Sequence, residues 1–205
     1  MKKPGIGVLR NVTINNIEAT GANPTGCAIS GLRGHAIENV TLSNLRLSFE
    51  GGGTKQDASR SIPEKPESYP EYSMFGRLPA YGLYCRHVKG LKLVNMQLQL
   101  AKLDQRHALV CEDVEDALVD RLDAPFSGGA GAMVRLTDVK GVFIRGCRPP
   151  AATDTFLRLE GAASERVVLV ANDLSGVGRI AEIAPDVPKT ALSKPANHVP
   201  EQSGR

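Results

Sequence analysis

A short sequence pattern recurs along the chain at a nearly constant interval of about 25 residues. The hexapeptides VTINNI, VTLSNL and LKLVNM begin at positions 12, 40 and 91, and weaker copies begin at positions 117, 142 and 167. The steps between these starts are 28, 51, 26, 25 and 25 residues, so one interval is two periods long. A fixed period of about 20 to 50 residues indicates a solenoid or another repeat architecture.

Each copy alternates apolar and polar residues over about five positions, which is the pattern of a half-buried strand and not of a helix. A second strand-like segment precedes each copy from the second onward, separated from it by turn formers such as Lys89 and Gly90. A strand pair that returns every ~25 residues leaves no room for a crossover helix, so the repeats must stack as coils. The sequence therefore predicts an all-β fold, a parallel β-helix (β-solenoid) with about 25 residues per coil. The alternative is an antiparallel sandwich, which does not require a constant sequence period.

The alternation also predicts side-chain directions. Asn16, Asn44 and Asn95 share one position in three copies, where a left-handed corner and a ladder of stacked amides are expected. Outward positions become apolar towards the C-terminus, at Phe143, Val168 and Val170, so a further segment is expected to cover them. The residues predicted to point inward are Val12, Ile14, Val40, Leu42, Leu91, Leu93, Val119, Val142, Ile144 and Leu169.

The domain organisation follows from the repeat. Residues 1–184 are predicted to form one β-helix, with a loop at 48–82 inserted in the interval of double length. Residues 185–205 are rich in Pro and polar residues, so we expect a mostly disordered C-terminal tail, which is also the candidate cover for the apolar outward positions.

Composition excludes several classes of function. The 205 residues carry a formal net charge of only +3, with basic and acidic residues interspersed, which argues against nucleic-acid binding. No apolar run approaches the ~20 residues of a membrane helix, and no apolar segment typical of a signal peptide follows Lys2 and Lys3, so localisation stays unknown. No metal cluster, phosphate-binding loop or nucleophile triad stands out, and no cofactor is expected. Cys85 and Cys111 are one period apart and are expected to stack as buried thiols rather than as a disulfide.

The second half of the inserted loop combines aromatic rings with carboxylates and an arginine. Sugar-binding clefts use such residues for ring stacking and for hydrogen bonds to hydroxyls, although the rings could equally pin the loop to the sheet. The candidate substrate-binding residues are Tyr69, Glu71, Arg77, Tyr81 and Arg86. The adjacent basic pairs Arg86–His87 and Arg106–His107 are expected to lie on solvated edges, with a place near a carboxylate substrate as the alternative.

Residues 25–42, 69–76 and 78–83 resemble, in this order, the C-terminal part of glycoside hydrolase family 28, the polygalacturonase and rhamnogalacturonase-like enzymes. The similarity extends from about residue 5 to residue 123. The resemblance implies a single-stranded, right-handed parallel β-helix of the pectin-lyase-like type. It also implies pectic oligo- or polysaccharides as partners, export of the full-length relatives, and hydrolysis of galacturonic-acid-containing chains with inversion.

The family's catalytic motifs are absent from this sequence. None of Asn-Thr-Asp, Asp-Asp, Gly-His-Gly and Arg-Ile-Lys occurs, and Gly34-His35-Ala36 is not equivalent to the third of them. We therefore expect the chain to correspond to the part that follows the catalytic coils and to be inactive in isolation, with no catalytic residue assigned. Two other interpretations stay open, namely a non-catalytic carbohydrate-binding solenoid and a solenoid whose exposed first coil associates with itself or with missing N-terminal coils.

Overall fold

The computed structural model describes residues 5–126, 128–151 and 153–199. Within them the chain forms eleven strands and one short helix. In chain order these elements are β1 (Arg10–Ala22), β2 (Cys27–Ser30), β3 (Ile37–Phe49), α1 (Lys55–Ala58), β4 (Ala80–Leu100), β5 (His107–Asp123), β6 (Val134–Thr137), β7 (Lys140–Arg145), β8 (Thr153–Glu160), β9 (Glu165–Val170), β10 (Val177–Ile183) and β11 (Leu192–Ser193).

All strand pairs in these ladders are parallel, and their register reproduces the sequence repeat. One position of the repeat is occupied in successive coils by Val12, Val40, Leu91, Ala117, Val142, Val167 and Leu192. The chain is thus a β-solenoid of about seven turns with about 26 residues per turn, which confirms the predicted fold class.

Two parallel sheets of this solenoid matter for the site. The far-side sheet consists of residues 12–15, 40–43, 91–94, 117–120, 142–145 and 167–170. The loop-side sheet consists of residues 27–30, 83–86, 109–112, 134–137 and 157–160, and it carries the inserted loop. The chain passes from the second sheet to the first within each coil, so the long strands β4 and β5 belong to both.

The interior is a set of aliphatic ladders. The predicted inward residues of the second and later coils are buried, with exposures between 0% and 6%. In the first coil Val12 and Ile14 occupy the same repeat positions as the buried Val40 and Leu42, but Val12 is only half-buried and Ile14 is 41% exposed. The end of the stack lies there, so these side chains have a neighbouring coil on one side only.

Asparagine occupies left-handed corners, as predicted. Asn16, Asn44 and Asn95 have φ values of 56°, 54° and 54°. Asn95 Nδ2 donates to Asn44 Oδ1 at 2.9 Å, but the next step of the ladder goes from Asn44 Nδ2 to Oδ1 of Asn15, at 3.0 Å, and not to Asn16.

The C-terminal segment differs from the expected disordered tail. Residues 185–199 complete a seventh coil, in which Val187 and Ala191 are buried and β11 pairs with β9. Asn197 anchors it by donating to the Leu169 carbonyl at 2.8 Å and accepting from Asn172 at 2.9 Å. This segment stacks on the sixth coil and does not cover the far-side sheet, where Phe143 stays 47% exposed. Residues 200–205 lie outside the described residues.

Cys85 and Cys111 stack as buried thiols, as the sequence predicts. Cys85 and Cys111 are register partners on adjacent coils and both are buried. All four cysteines of the described residues are free thiols. The hydrogen bond with the neighbouring Cys111 side chain, together with burial, raises the pKa of Cys85 well above its usual range, so it behaves as a small apolar residue.

Candidate functional site

The inserted loop packs on the loop-side sheet through a small apolar cluster of its own. Ile62 and Leu78 of the loop lie against Ala80, Tyr84 and Val110, with Phe75 at the margin; the first five are buried. The sequence left open whether the loop's aromatic residues bind sugar or pin the loop. For Phe75 the structure shows a packing contact.

A buried ion pair anchors both ends of the loop. Arg106 Nε and Nη2 donate to the two carboxylate oxygens of Asp104 at 2.9 and 2.8 Å, and both side chains are 0% exposed. Arg106 Nη1 reaches the carbonyls of Thr25, Leu78 and Ala80, while the backbone N–H of Gly53 donates to Asp104 at 2.8 Å. A Cβ at position 53 would lie 2.1 Å from Arg106 Nε, so glycine is required there.

Arg86 forms a second anchor. Its guanidinium donates to the Ile62 carbonyl at 2.6 Å and the Pro63 carbonyl at 3.2 Å, and it lies 5.7 Å and 5.8 Å from the ring centroids of Phe75 and Tyr84. The side chain is 5% exposed. Arg86 therefore holds the loop against the sheet and offers no surface to a ligand.

His87 is placed between two carboxylates. Its Nδ1 lies 2.6 Å from Asp113 Oδ2, and its Nε2 lies 2.9 Å from Glu64 Oε1 of the loop. The expectation that the two basic pairs occupy solvated edges is wrong, because Arg86, His87, Arg106 and His107 are all at most 6% exposed. The inserted loop covers them, which the local sequence does not indicate.

Beyond the loop, a row of charged side chains crosses the loop-side sheet. Glu112 accepts from the Tyr84 hydroxyl at 2.7 Å and from Arg135 Nη2 at 2.6 Å. The next carboxylate, Glu160, lies 2.6 Å from Arg158 Nε and 3.8 Å from Arg135 Nε. Burial and the neighbouring Glu112 raise the pKa of Tyr84, so its hydroxyl keeps its proton and acts as a donor.

A pocket of about 370 Å³ opens between this row and the start of the loop. Its volume is within the range of about 300–1,000 Å³ that is usual for small-molecule sites. Three of its charged lining residues are cationic, Lys55, Arg135 and Arg158, and one is anionic, Glu160. Glu112 lies outside the lining but pairs with Arg135, so three cations are set against two carboxylates, and the one remaining positive charge favours an anion. The remaining lining residues are Ala58, Ser59, His107 and Ala130.

Helix α1 brings Lys55 to the mouth of the pocket. Thr54 precedes the helix and accepts from the Asp57 N–H at 3.2 Å, while the Asp57 carboxylate accepts from the Thr54 N–H at 2.9 Å. This reciprocal capping box stabilises a helix of only four residues. Arg135 Nη1 donates to the Ala58 carbonyl at 3.2 Å and so fixes the helix end to the sheet.

His107 lines the pocket wall as a neutral imidazole, with only 2% of its surface exposed. Burial, and to a smaller extent the charges of Arg135 and Arg158, lower the pKa of His107 to about 4. Its Nδ1 donates to the Ala132 carbonyl at 2.6 Å, which leaves Nε2 as the unprotonated nitrogen. An unprotonated imidazole nitrogen accepts a hydrogen bond from a hydroxyl group.

The five sequence-predicted ligand residues do not converge on this pocket. Tyr69 is 83% exposed, and Glu71 is exposed with Ser73 Oγ as its donor at 2.8 Å. Arg77 contacts the Gly52 carbonyl at 3.1 Å and Asp57 at 3.4 Å, within the loop. Tyr81 is fully buried and donates to the Pro125 carbonyl, so it is unavailable to a ligand, as is Arg86.

Apart from His107, which the sequence singled out as part of a basic pair, the residues that line the pocket were missed by sequence reasoning, although one signal was present. Arg135 and Arg158 occupy the same outward position in consecutive strands, VRLT and FLRL, and they are register partners in the structure. Two arginines at one repeat position form a charged column on a sheet. Lys55 and His107 carry no such signal, because only the inserted loop and its anchors place them here.

Within residues 5–126, 128–151 and 153–199, no helix is long and apolar enough to cross a membrane. The same residues contain no group of three or more His, Cys, Asp or Glu side chains that could hold a metal ion. Comparisons with protein-family models, with curated proteins and with solved structures found no match.

Proposed function

We propose that the chain is a carbohydrate-binding β-solenoid that takes an acidic, uronate-containing oligosaccharide in the pocket between α1 and the loop-side sheet. The observation that carries the proposal is the combination of three cationic side chains with a neutral imidazole in one concave site. A uronate presents a carboxylate for the cations and several hydroxyl groups for His107. Arg is suited to the carboxylate because its planar donors can bind both oxygens.

The resemblance to glycoside hydrolase family 28 supports the same ligand class. That resemblance includes residues 69–76 and 78–83, which belong to the inserted loop and the start of β4, whereas the loop residues that line the pocket are Lys55, Ala58 and Ser59. Pectic chains are built on galacturonic acid, so the resemblance and the charge of the pocket agree on an acidic sugar.

The contacts of the carboxylates at and beside the pocket favour ligand binding without hydrolysis. Inverting hydrolysis needs two carboxyl groups about 6.5–9.5 Å apart on opposite sides of the scissile bond, one donating a proton and one activating water. Glu112 already accepts hydrogen bonds from Tyr84 and Arg135, and Glu160 is in close contact with Arg158. While these contacts persist, neither carboxylate can donate a proton to the leaving group or activate the attacking water.

The change Arg158→Gln tests the site. Isothermal titration with a trigalacturonate is expected to show binding to the unmodified chain and about 10- to 100-fold weaker binding to the variant, the effect of losing one charge-assisted hydrogen bond. Arg158 is 39% exposed at its side chain, so folding should persist. An uncharged galactotriose should bind more weakly than the uronate to the unmodified chain.

Arg148→Gln is the matched control. Arg148 is 84% exposed, pairs with Asp173 at 3.2 Å and does not line the pocket, so its loss should leave the affinity unchanged. Equal affinities of the Arg158 and Arg148 variants would contradict the proposed site. Release of reducing ends from pectic oligosaccharides, abolished by Glu160→Gln or by Glu71→Gln, would instead show an enzyme.

A further inference from the structure

The first coil exposes surfaces that every later coil buries. Ile14 and Ile17 are 41% and 42% exposed, whereas their register partners Leu42 and Leu45 are each 6% exposed. The described part of the chain pairs β1 with β3 alone, so the other edge of this 13-residue strand has unpaired N–H and C=O groups. An edge strand of this length with apolar side chains beside it is a template for pairing with another chain.

This edge has few of the devices that protect edge strands, although β1 turns at Asn11 and Asn16 and its register shifts between Ala19 and Ala22. Strand β1, RNVTINNIEATGA, contains no proline or lysine, and its charged residues are Arg10 and Glu18 alone. Of the residues before β1, the described ones, 5–9, do not cover the end of the coil, because Ile6, Val8 and Leu9 are themselves 54–76% exposed.

In the described part of the chain, the opposite end of the solenoid has no long strand edge. Its last strand, β11, has two residues, and the seventh coil contains Pro185, Pro188 and Pro195. Prolines cannot donate to a strand ladder, so this end does not match the long edge of β1. Head-to-tail stacking into an open fibre is therefore disfavoured, and the surface complementary to one β1 edge is a second β1 edge.

We propose that two copies of the chain associate through their first coils, with the two β1 strands antiparallel about a two-fold axis. Antiparallel pairing centred on Ile14 places the inward Ile14 opposite its own copy, the outward Thr13 opposite the outward Asn15, and Val12 opposite Asn16 at the corner. The same register places Arg10 of each copy opposite Glu18 of the other. Both are exposed, and two intermolecular ion pairs flank the apolar centre.

The mass of the full chain in solution tests this proposal. Sedimentation equilibrium over a range of concentrations should show a reversible transition from 21.9 kDa to twice that mass. The change Ile14→Lys should raise the dissociation constant about 100-fold or more, because it places a charge from each copy at the centre of the interface. Ile183→Lys is the control, since Ile183 is 46% exposed at the other end of the solenoid, and its dimer should persist.

Exchanging the charges of Arg10 and Glu18 tests the proposed antiparallel register. Arg10→Glu alone should weaken the dimer through two Glu–Glu contacts, and adding Glu18→Arg should restore it. Within one chain Glu18 lies 3.8 Å from Arg46, but both side chains are more than half exposed, so little stability depends on that pair. Circular dichroism reports whether each variant keeps its fold. A chain that stays monomeric at all concentrations, a series of larger assemblies, or a dimer that survives Ile14→Lys would overturn the proposal.

Discussion

Replacing Arg106 with methionine is expected to lower the free energy of unfolding by about 3–5 kcal/mol. Methionine retains most of the volume of the side chain but leaves the Asp104 carboxylate buried without its guanidinium partner. Burial acts to raise the pKa of Asp104, but the hydrogen bonds from Arg106 and Gly53 outweigh it and hold that pKa below its usual range. A domain is commonly stable by only about 5–15 kcal/mol, so the expected loss is a large part of the whole. Urea unfolding followed by circular dichroism measures it.

Two further variants separate the buried pair from arginine loss in general. Arg148→Met removes a guanidinium that is 84% exposed and should cost less than about 1 kcal/mol. The double change Asp104→Leu with Arg106→Met should be less destabilising than the sum of the single changes, because no unpaired charge remains. If Arg106→Met and Arg148→Met unfold at the same urea concentration, the buried pair does not anchor the loop.

The solenoid could be predicted from the sequence because its period is a local property that repeats. Each step from position 12 to 40, 91, 117, 142 and 167 became a register pairing in the structure. The seventh coil was not recognised, because its strand is only two residues long and lies among prolines. Asn197, 25 residues after Asn172, was the signal that continued the period.

The site was harder to predict than the fold, because a non-repeating loop determines it. The strand pattern places Arg86 in β4 and Arg106 just before β5, but it does not indicate that residues 50–79 fold back over these two side chains. Tyr81 fails as a ligand for a related reason, since its position at the start of β4 turns it into the interior. Sequence patterns describe one coil and its neighbours. Contacts made by an insertion depend on the whole chain.

Lowering the pH from 7 to 5 is expected to destabilise the chain by about 2 kcal/mol through His107 alone. The pKa of this histidine is about 4 in the folded chain and 6.5 when unfolded. Between these values the unfolded state binds a proton that the folded state does not, so stability is complete above pH 6.5 and falls as the pH decreases. Carboxylates with lowered pKa, such as Asp104, lose their contribution mainly below about pH 4, outside this window.

The change His107→Gln should remove this part of the pH dependence. Glutamine can still donate to the Ala132 carbonyl but does not titrate, so its unfolding free energy should change about 2 kcal/mol less than that of the unmodified chain between pH 7 and pH 5. His35→Gln is the control, because His35 is exposed, and the pH dependence should persist in that variant. An undiminished pH dependence in His107→Gln would show that the buried imidazole is not the group responsible. The same neutral imidazole is the acceptor proposed for a sugar hydroxyl, so the stability measurement also tests the protonation state on which ligand recognition depends.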